Sequence, residues 1–151
     1  MSKTLEASID IDASPEQVWK VVSDLKRMGE WSPQCKKMKV FGGEVRRGTT
    51  TLNVNRKGFL VWPTTSKVVE FDPNTVIAFR VNENRTIWSY TLTPTATGTT
   101  VVEKREAPTG TSSVSSFLVK NVLGGIDEFD IELVDGMQKT LARIKSESER
   151  T

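Results

Sequence analysis

The stretch "IDASPEQVWKVVSDLKRMGEWSP", residues 11–33, decides the fold because the hydrophobic period changes within it. Apolar and polar residues alternate up to its start, which predicts a strand over residues 4–11 with one buried face. Ser14 and Gln17 then have the spacing of a capping box, and Pro15 suits the first helical position. The stretch therefore predicts a strand followed by a capped helix that ends near Asp24.

Downstream of this helix, the sequence predicts a short second helical turn that ends in "GEWSP", residues 29–33, and then only strands. Six segments rich in Val, Thr, Ile and aromatic residues follow: 37–41, 47–56, 59–71, 76–82, 85–94 and 99–107. The short turns between them imply an antiparallel meander. Pro63 indicates a bulge, an edge position or a break in the third segment.

The last third of the chain returns to the helical period. Apolar residues recur at three- and four-residue steps from Val114 to Ile144, which predicts a long amphipathic helix. Gly124 and Gly125 interrupt the pattern, so we expect a kink or break there. This order of elements predicts an α+β fold in which a curved sheet grips the long helix, as one domain over residues 1–151.

The composition excludes several classes of site. The chain has no histidine and one cysteine, Cys35, which excludes Ser-His-Asp and Cys-His catalysis, the usual zinc sites and an internal disulfide. It has neither a phosphate-binding Gly-rich motif nor a calcium loop, so we expect no cofactor and no metal. The formal charge of +2 gives no general reason to expect nucleic acid. Without a signal peptide or an apolar span of ~18 residues, a cytoplasmic location is expected.

Four stretches together carry a resemblance that covers essentially the whole chain. They are residues 11–33, "VVEFDP" (68–73), "WSYTLTP" followed by "GTTVVE" (88–103) and "GMQKTLARIKSESE" (136–149). The chain resembles the START-like superfamily, specifically its bacterial polyketide cyclase/dehydrase and lipid-transport branch. The resemblance implies a helix-grip fold: about seven antiparallel strands around the C-terminal helix, two short helices after the first strand, and an elongated cavity. Members bind lipids, sterols or polyketides, and some catalyse cyclisation or dehydration.

The candidate cavity residues lie on the elements that would enclose such a cavity. They are Trp31, Trp62, Trp88, Tyr90, Phe117, Asn121 and Ile126. Apolar pockets are lined mostly by aromatic and aliphatic side chains, so ordinary core packing is the alternative for most of them. Trp31 either forms the cavity mouth or packs on the core as a lid. Trp88 and Tyr90 either line the cavity or form a cross-strand aromatic cluster, and Asn121 would need a partner if buried.

The weak candidates for acid–base chemistry are Tyr90, Glu103 and Arg80. Arg80 lies opposite the apolar residues of its strand, which favours the solvent face. Glu103 is expected at the surface, although burial would raise its pKa if it pointed inward. Cys35 is expected to be an inert small residue, because no histidine exists to activate it.

The leading hypothesis is a non-enzymatic cytoplasmic carrier or sensor, monomeric or weakly dimeric, that binds an apolar or amphipathic small molecule. The enzyme alternative is a polyketide cyclase or dehydratase in which Tyr90, Glu103 or an Arg transfers a proton. A third hypothesis is a toxin-like or regulatory protein-interaction role. A large exposed apolar patch around the short helices would favour it.

Overall fold

The computed structural model describes residues 3–107 and 126–150. In chain order the elements are β1 (Lys3–Ile11), α1 (Pro15–Val22), a 3₁₀ turn (Leu25–Arg27), α2 (Met28–Trp31), β2 (Cys35–Val40), β3 (Thr50–Lys57), β4 (Leu60–Asp72), β5 (Val76–Val81), β6 (Thr86–Pro94), β7 (Thr99–Ala107) and α3 (Ile126–Arg150). This is the predicted order of strand, short helices, six further strands and a C-terminal helix.

Helix α1 begins at the predicted capping box. The Ser14 hydroxyl oxygen accepts a 3.2 Å hydrogen bond from the Gln17 amide, and Pro15 occupies the first turn. The helix ends at Val22, two residues earlier than predicted, because Ser23 caps it and a 3₁₀ turn follows. The short second helix, α2, is present and ends on Trp31.

The seven strands form a single antiparallel sheet in the order β1-β7-β6-β5-β4-β3-β2. The predicted meander is therefore confirmed, with β1 closing onto β7. The register shifts between Val68 and Glu70, where an irregularity interrupts the pairing of β4 with β5. Pro63 pairs with β3 but lies beyond the last β4 residue that pairs with β5, Ser66. That part of β4 has a free edge, which tolerates a residue without an N–H.

Helix α3 packs on the inner face of this sheet. Leu133, Met137, Leu141 and Ile144 recur at helical spacing and are all buried, as expected for an apolar stripe facing the core. The structure confirms the α+β helix-grip arrangement. The predicted kink at residues 124–125 and the helical pattern before it lie outside the described residues. No helix in the described part of the chain is long and apolar enough to cross a bilayer.

The turn between β6 and β7 fits against β1 only because residue 98 is glycine. A Cβ atom on Gly98 would lie 2.1 Å from the carbonyl oxygen of Ile11, a distance that no side chain tolerates. The contact fixes the end of the β6–β7 hairpin against the strand that precedes α1. It thereby helps to hold β7 in its place between β1 and β6.

Candidate functional site

A cavity of about 860 Å³ lies between the inner face of the sheet, α2 and α3. Its volume is within the range of roughly 300–1,000 Å³ that is usual for small-molecule sites. Among the residues lining it are Met28, Pro33, Cys35, Met38, Asn53, Asn55, Trp62, Thr64, Phe79, Val81, Trp88, Tyr90, Glu103, Arg105, Leu133 and Met137. The lining combines aromatic and aliphatic side chains with many polar and charged ones.

Tyr90 and Glu103 are two deeply buried polar groups of the lining. The antiparallel register of β6 and β7 places these two residues directly opposite each other. The Tyr90 hydroxyl donates to Oε2 of Glu103 at 3.1 Å and lies 3.9 Å from the Met28 sulfur. Only 3% of Glu103 is exposed, so the predicted surface position of Glu103 is wrong. The reason is that β7 lies inside the sheet, between β1 and β6, with its inner face turned to the cavity and the core.

Burial controls the ionisation of this pair. Burial raises the pKa of Glu103 from its usual 4.5 to about 8, and the hydrogen bond from Tyr90 offsets only part of the rise. Burial, followed by the charge of Glu103, raises the pKa of Tyr90 well above its usual 10. Tyr90 therefore remains a hydroxyl donor, and Glu103 is mostly the neutral acid at neutral pH.

One oxygen of the Glu103 carboxyl lacks a partner within the described residues. Oε1 is buried and accepts or donates no hydrogen bond there, whereas Oε2 accepts from Tyr90. Since the Tyr90 hydroxyl already donates to Oε2, the proton of the neutral acid belongs on Oε1. Glu103 can thus donate a hydrogen bond from Oε1 to an oxygen atom in the cavity.

Arg105 is another ionisable residue of the cavity lining, one that the sequence analysis did not select. It lies two residues beyond Glu103 on the same face of β7 and opposite Trp88 in the register. Burial lowers the pKa of its guanidinium, and the charge of Asp130 on α3 acts in the opposite direction. Arg105 shares a face of β7 with Val101 and Glu103, but the other face also carries charged residues, so the alternation did not indicate that Arg105 is buried.

The wall formed by β3 and β4 carries neutral polar side chains. Nδ2 of Asn53 and Nδ2 of Asn55 both donate to the Thr64 hydroxyl, at 3.1 and 3.0 Å. The Thr51 hydroxyl donates to Oδ1 of Asn53 at 2.7 Å. Asn53, Asn55 and Thr64 line the cavity. This wall therefore offers amide and hydroxyl groups to a ligand, a feature that the sequence analysis also missed.

The structure brings three of the predicted cavity residues to the site and leaves Trp31 away from it. Trp62, Trp88 and Tyr90 line the cavity. Trp31 is 3% exposed and packs in the core, with the Arg27 guanidinium 4.8 Å above its ring. It takes this position because it ends α2 with its side chain turned into the molecule, which favours core packing over a position at the cavity mouth.

Arg80 lies apart from the Tyr90–Glu103 pair, and the other remaining candidates lie outside the described residues. Arg80 is exposed and pairs with Lys67 on the outer face of the sheet, as expected. Phe117, Asn121 and the side chain of Ile126 lie outside the described residues.

Cys35 lines the cavity, and the described acidic and cysteine side chains form no metal site. Burial raises the pKa of the Cys35 thiol to about 11, while its hydrogen bond to the Lys37 backbone lowers it slightly, so the thiol is neutral and a poor nucleophile. Within the part of the chain whose side chains are described, no three such residues are close enough together to hold a metal ion.

The sequence matches the family "polyketide cyclase / dehydrase and lipid transport" over residues 2–149. The chain therefore belongs to this family, as the resemblance of the four stretches predicts. No curated protein sequence matches it significantly.

Several solved structures share the fold. The polyketide cyclase-like protein Cgl2372 from Corynebacterium glutamicum is 28% identical, with a TM-score of 0.66 over 96% of this chain and 90% of that one. The Zhui aromatase/cyclase from Streptomyces sp. R1128 is 18% identical, with a TM-score of 0.76 over 99% and 95%. The di-domain ARO/CYC protein StfQ from the steffimycin biosynthetic pathway is 12% identical, with a TM-score of 0.79. The match covers 99% of this chain but only 51% of StfQ, about half of that protein.

Proposed function

We propose that the protein binds a largely apolar, oxygen-bearing small molecule of the polyketide type in the cavity, with Glu103 hydrogen-bonded to one of its oxygens. The observation that carries this proposal is the buried Oε1 atom of Glu103, which has no partner among the described residues. A buried polar atom left without a hydrogen bond costs about 1–3 kcal/mol. A ligand oxygen that accepts from Oε1 would remove this cost.

The rest of the lining supports a ligand with an apolar skeleton and several oxygen atoms. Trp62, Phe79 and Trp88 offer apolar surface, whose burial contributes about 25 cal/mol per Å². Asn53 and Asn55 offer amide groups on another wall. A plain hydrocarbon chain would leave Oε1 of Glu103 without a partner among the described residues. The family covers both polyketide cyclases and lipid transport, and the aromatase/cyclase names of two structural neighbours support a polyketide-like molecule.

A direct test compares two probes of similar shape. Emodin is a hydroxylated anthraquinone with carbonyl oxygens, and anthracene has the same ring system without oxygen. Glu103→Leu should weaken emodin binding roughly tenfold, the value of one or two hydrogen bonds, without weakening anthracene binding. Arg80→Gln, on the outer face, is the control. Equal losses for both probes, or no emodin binding by the wild-type protein, would contradict the proposal.

A second candidate function, an enzyme of the cyclase or dehydratase type, is favoured by the ionisation of Glu103. A carboxyl group with a pKa of about 8 can both accept and donate a proton near neutral pH. As a carboxylate it would take a proton from a carbon beside a ligand carbonyl. As the acid it would return that proton to a departing hydroxyl group, which leaves as water.

Turnover separates the two candidates. The assay incubates the protein with the N-acetylcysteamine thioester of a linear tetraketide and follows cyclised or dehydrated products by mass spectrometry. The enzyme hypothesis predicts products from the wild-type protein and none from Glu103→Gln, which should still bind emodin through its amide group. A wild-type protein that binds emodin but forms no product faster than buffer alone is a binding protein.

A further inference from the structure

Positive charge is concentrated in one part of the chain. Residues 35–64, which form β2, β3 and the start of β4, contain seven Lys or Arg residues and one acidic residue, Glu44. This segment alone has a formal charge of +6, against +2 for the whole chain. The remainder is therefore net negative, and the protein presents one strongly basic region.

The same region exposes apolar side chains. Phe59, in the turn between β3 and β4, is fully exposed at 103% relative accessibility, and Val61 beside it is 61% exposed. Leu52, on the outer face of β3, is also exposed. The outer face of an antiparallel sheet is normally polar, and the fold gains nothing from a phenylalanine held in water at a turn. These side chains therefore suggest an external apolar partner.

The basic and apolar groups lie side by side on the outer face of the sheet. The register places Arg56 opposite Val61 and Lys37 opposite Val54, and it places Lys39 opposite Leu52. Arg56 is held in position by a 2.9 Å hydrogen bond from its Nε to the Gly58 carbonyl oxygen. We call residues 56–61 the hairpin tip; it combines a projecting aromatic ring with cations around it.

The hairpin tip adjoins the cavity. Lys57, Gly58 and Trp62 are part of the cavity lining, although Phe59 and Val61 point away from it into solvent. Lys57 also forms a 3.0 Å ion pair with Glu132 of α3, which connects the tip to the helix across the cavity. A partner that contacts the hairpin tip therefore lies next to the part of the cavity that Lys57, Gly58 and Trp62 line.

We propose that the hairpin tip docks on the surface of an anionic lipid bilayer. Phe59 and Val61 would enter the interface between headgroups and acyl chains, while Lys37 and Arg56 would contact phosphate groups. Aliphatic Val61 and Leu52 offer no stacking surface to nucleic-acid bases, so a bilayer fits this patch better than nucleic acid. The proposal does not depend on which molecule the cavity binds.

Co-sedimentation with lipid vesicles tests the proposal. The wild-type protein should bind vesicles of phosphatidylcholine mixed with phosphatidylglycerol, bind pure phosphatidylcholine vesicles much more weakly, and be released as salt is raised. Phe59→Ser should lower the partition coefficient roughly tenfold. Lys37→Gln with Arg56→Gln should lower it roughly fivefold per charge removed.

Phe41→Ser provides a matched control. Phe41 is also an exposed aromatic residue with a nearby cation, Lys39, at 5.5 Å from its ring, but it lies at the opposite end of β2 from the hairpin tip. The proposal predicts near wild-type vesicle binding for this variant. Equal losses for Phe41→Ser and Phe59→Ser, or no vesicle binding at low salt, would overturn it. Binding of a single-stranded oligonucleotide in place of vesicles would also overturn it.

Discussion

Replacing Glu103 by glutamine should remove most of the pH dependence of folding stability between about pH 5 and 8. The substitution keeps the size of the side chain and replaces the carboxyl group with an amide that does not titrate. Glu103 is buried and has its pKa raised from 4.5 to about 8. The folded protein therefore holds this proton more tightly than the unfolded chain does.

The sign and size of the effect follow from that difference. The stabilising contribution of the proton is complete below pH 4.5 and is lost as the pH rises through about 8. A shift of about 3.5 pH units, the difference between those two values, corresponds to about 5 kcal/mol at about 1.4 kcal/mol per unit. Within this window the free energy of unfolding should fall by up to about 1.4 kcal/mol per pH unit.

Few other side chains titrate between about pH 5 and 8 in this protein. The chain has no histidine, the side chain that normally titrates there. The carboxyl groups of Glu30, Glu83 and Glu149 have pKa values lowered below 4.5, so they lose their stabilising effect only at more acid pH. The thiol of Cys35, with its pKa raised to about 11, titrates well above the window.

Urea unfolding followed by tryptophan fluorescence at several pH values in this window measures the effect. The wild-type protein should lose stability steadily with rising pH, and Glu103→Gln should give an almost constant free energy of unfolding. Identical pH profiles for the two proteins, or a wild-type profile that is flat, would refute the assignment of a buried, proton-holding carboxyl group at this position.

Three further substitutions test the packing and the cavity. Trp31→Ala should lower the free energy of unfolding by about 3–5 kcal/mol in denaturation experiments and leave the emodin affinity of the folded protein unchanged in calorimetry. Weakened emodin binding without lost stability would instead place Trp31 at the mouth of the cavity. Gly98→Ala should cost more than about 2 kcal/mol in denaturation experiments, whereas Gly43→Ala, with nothing within 4 Å of its added Cβ, should be nearly neutral. Similar costs would contradict the close approach. Arg105→Gln should weaken emodin binding in calorimetry while Arg80→Gln should not, because Arg105 lines the cavity and Arg80 does not. Equal effects of the two substitutions would argue against this placement of Arg105.

The fold was predictable because local signals agree with the tertiary structure. The capping box at Ser14 starts α1, as the side-chain hydrogen bond to Gln17 shows. The change from a period of two to helical spacing separates the strands from the helices. The short turns between strands gave the antiparallel order, and the apolar stripe of α3 marked the face that packs on the sheet.

The site was predictable only in part. Alternation placed Trp88 and Tyr90 on the inner face of β6, but β7 alternates charged residues on both faces, so periodicity could not show that Glu103 and Arg105 point inward. Their burial follows from the neighbours of β7 in the sheet, which are set by long-range pairing. The four residues of α2 are too few to show a period, so the sequence could not decide between the cavity mouth and the core for Trp31. A cytoplasmic location and a monomeric or weakly dimeric state stay predictions from the sequence.

The most direct test of the central claim is the ionisation of the Glu103 carboxyl itself. Carbon-13 NMR of the glutamate carboxyl groups, assigned with Glu103→Gln, gives its pKa in the protein alone and with saturating emodin. The account predicts a pKa near 8 for the free protein and a further rise with emodin, because a ligand oxygen that accepts from Oε1 stabilises the neutral acid. A pKa near 4.5 in the free protein, or a pKa unchanged by bound emodin, would contradict it.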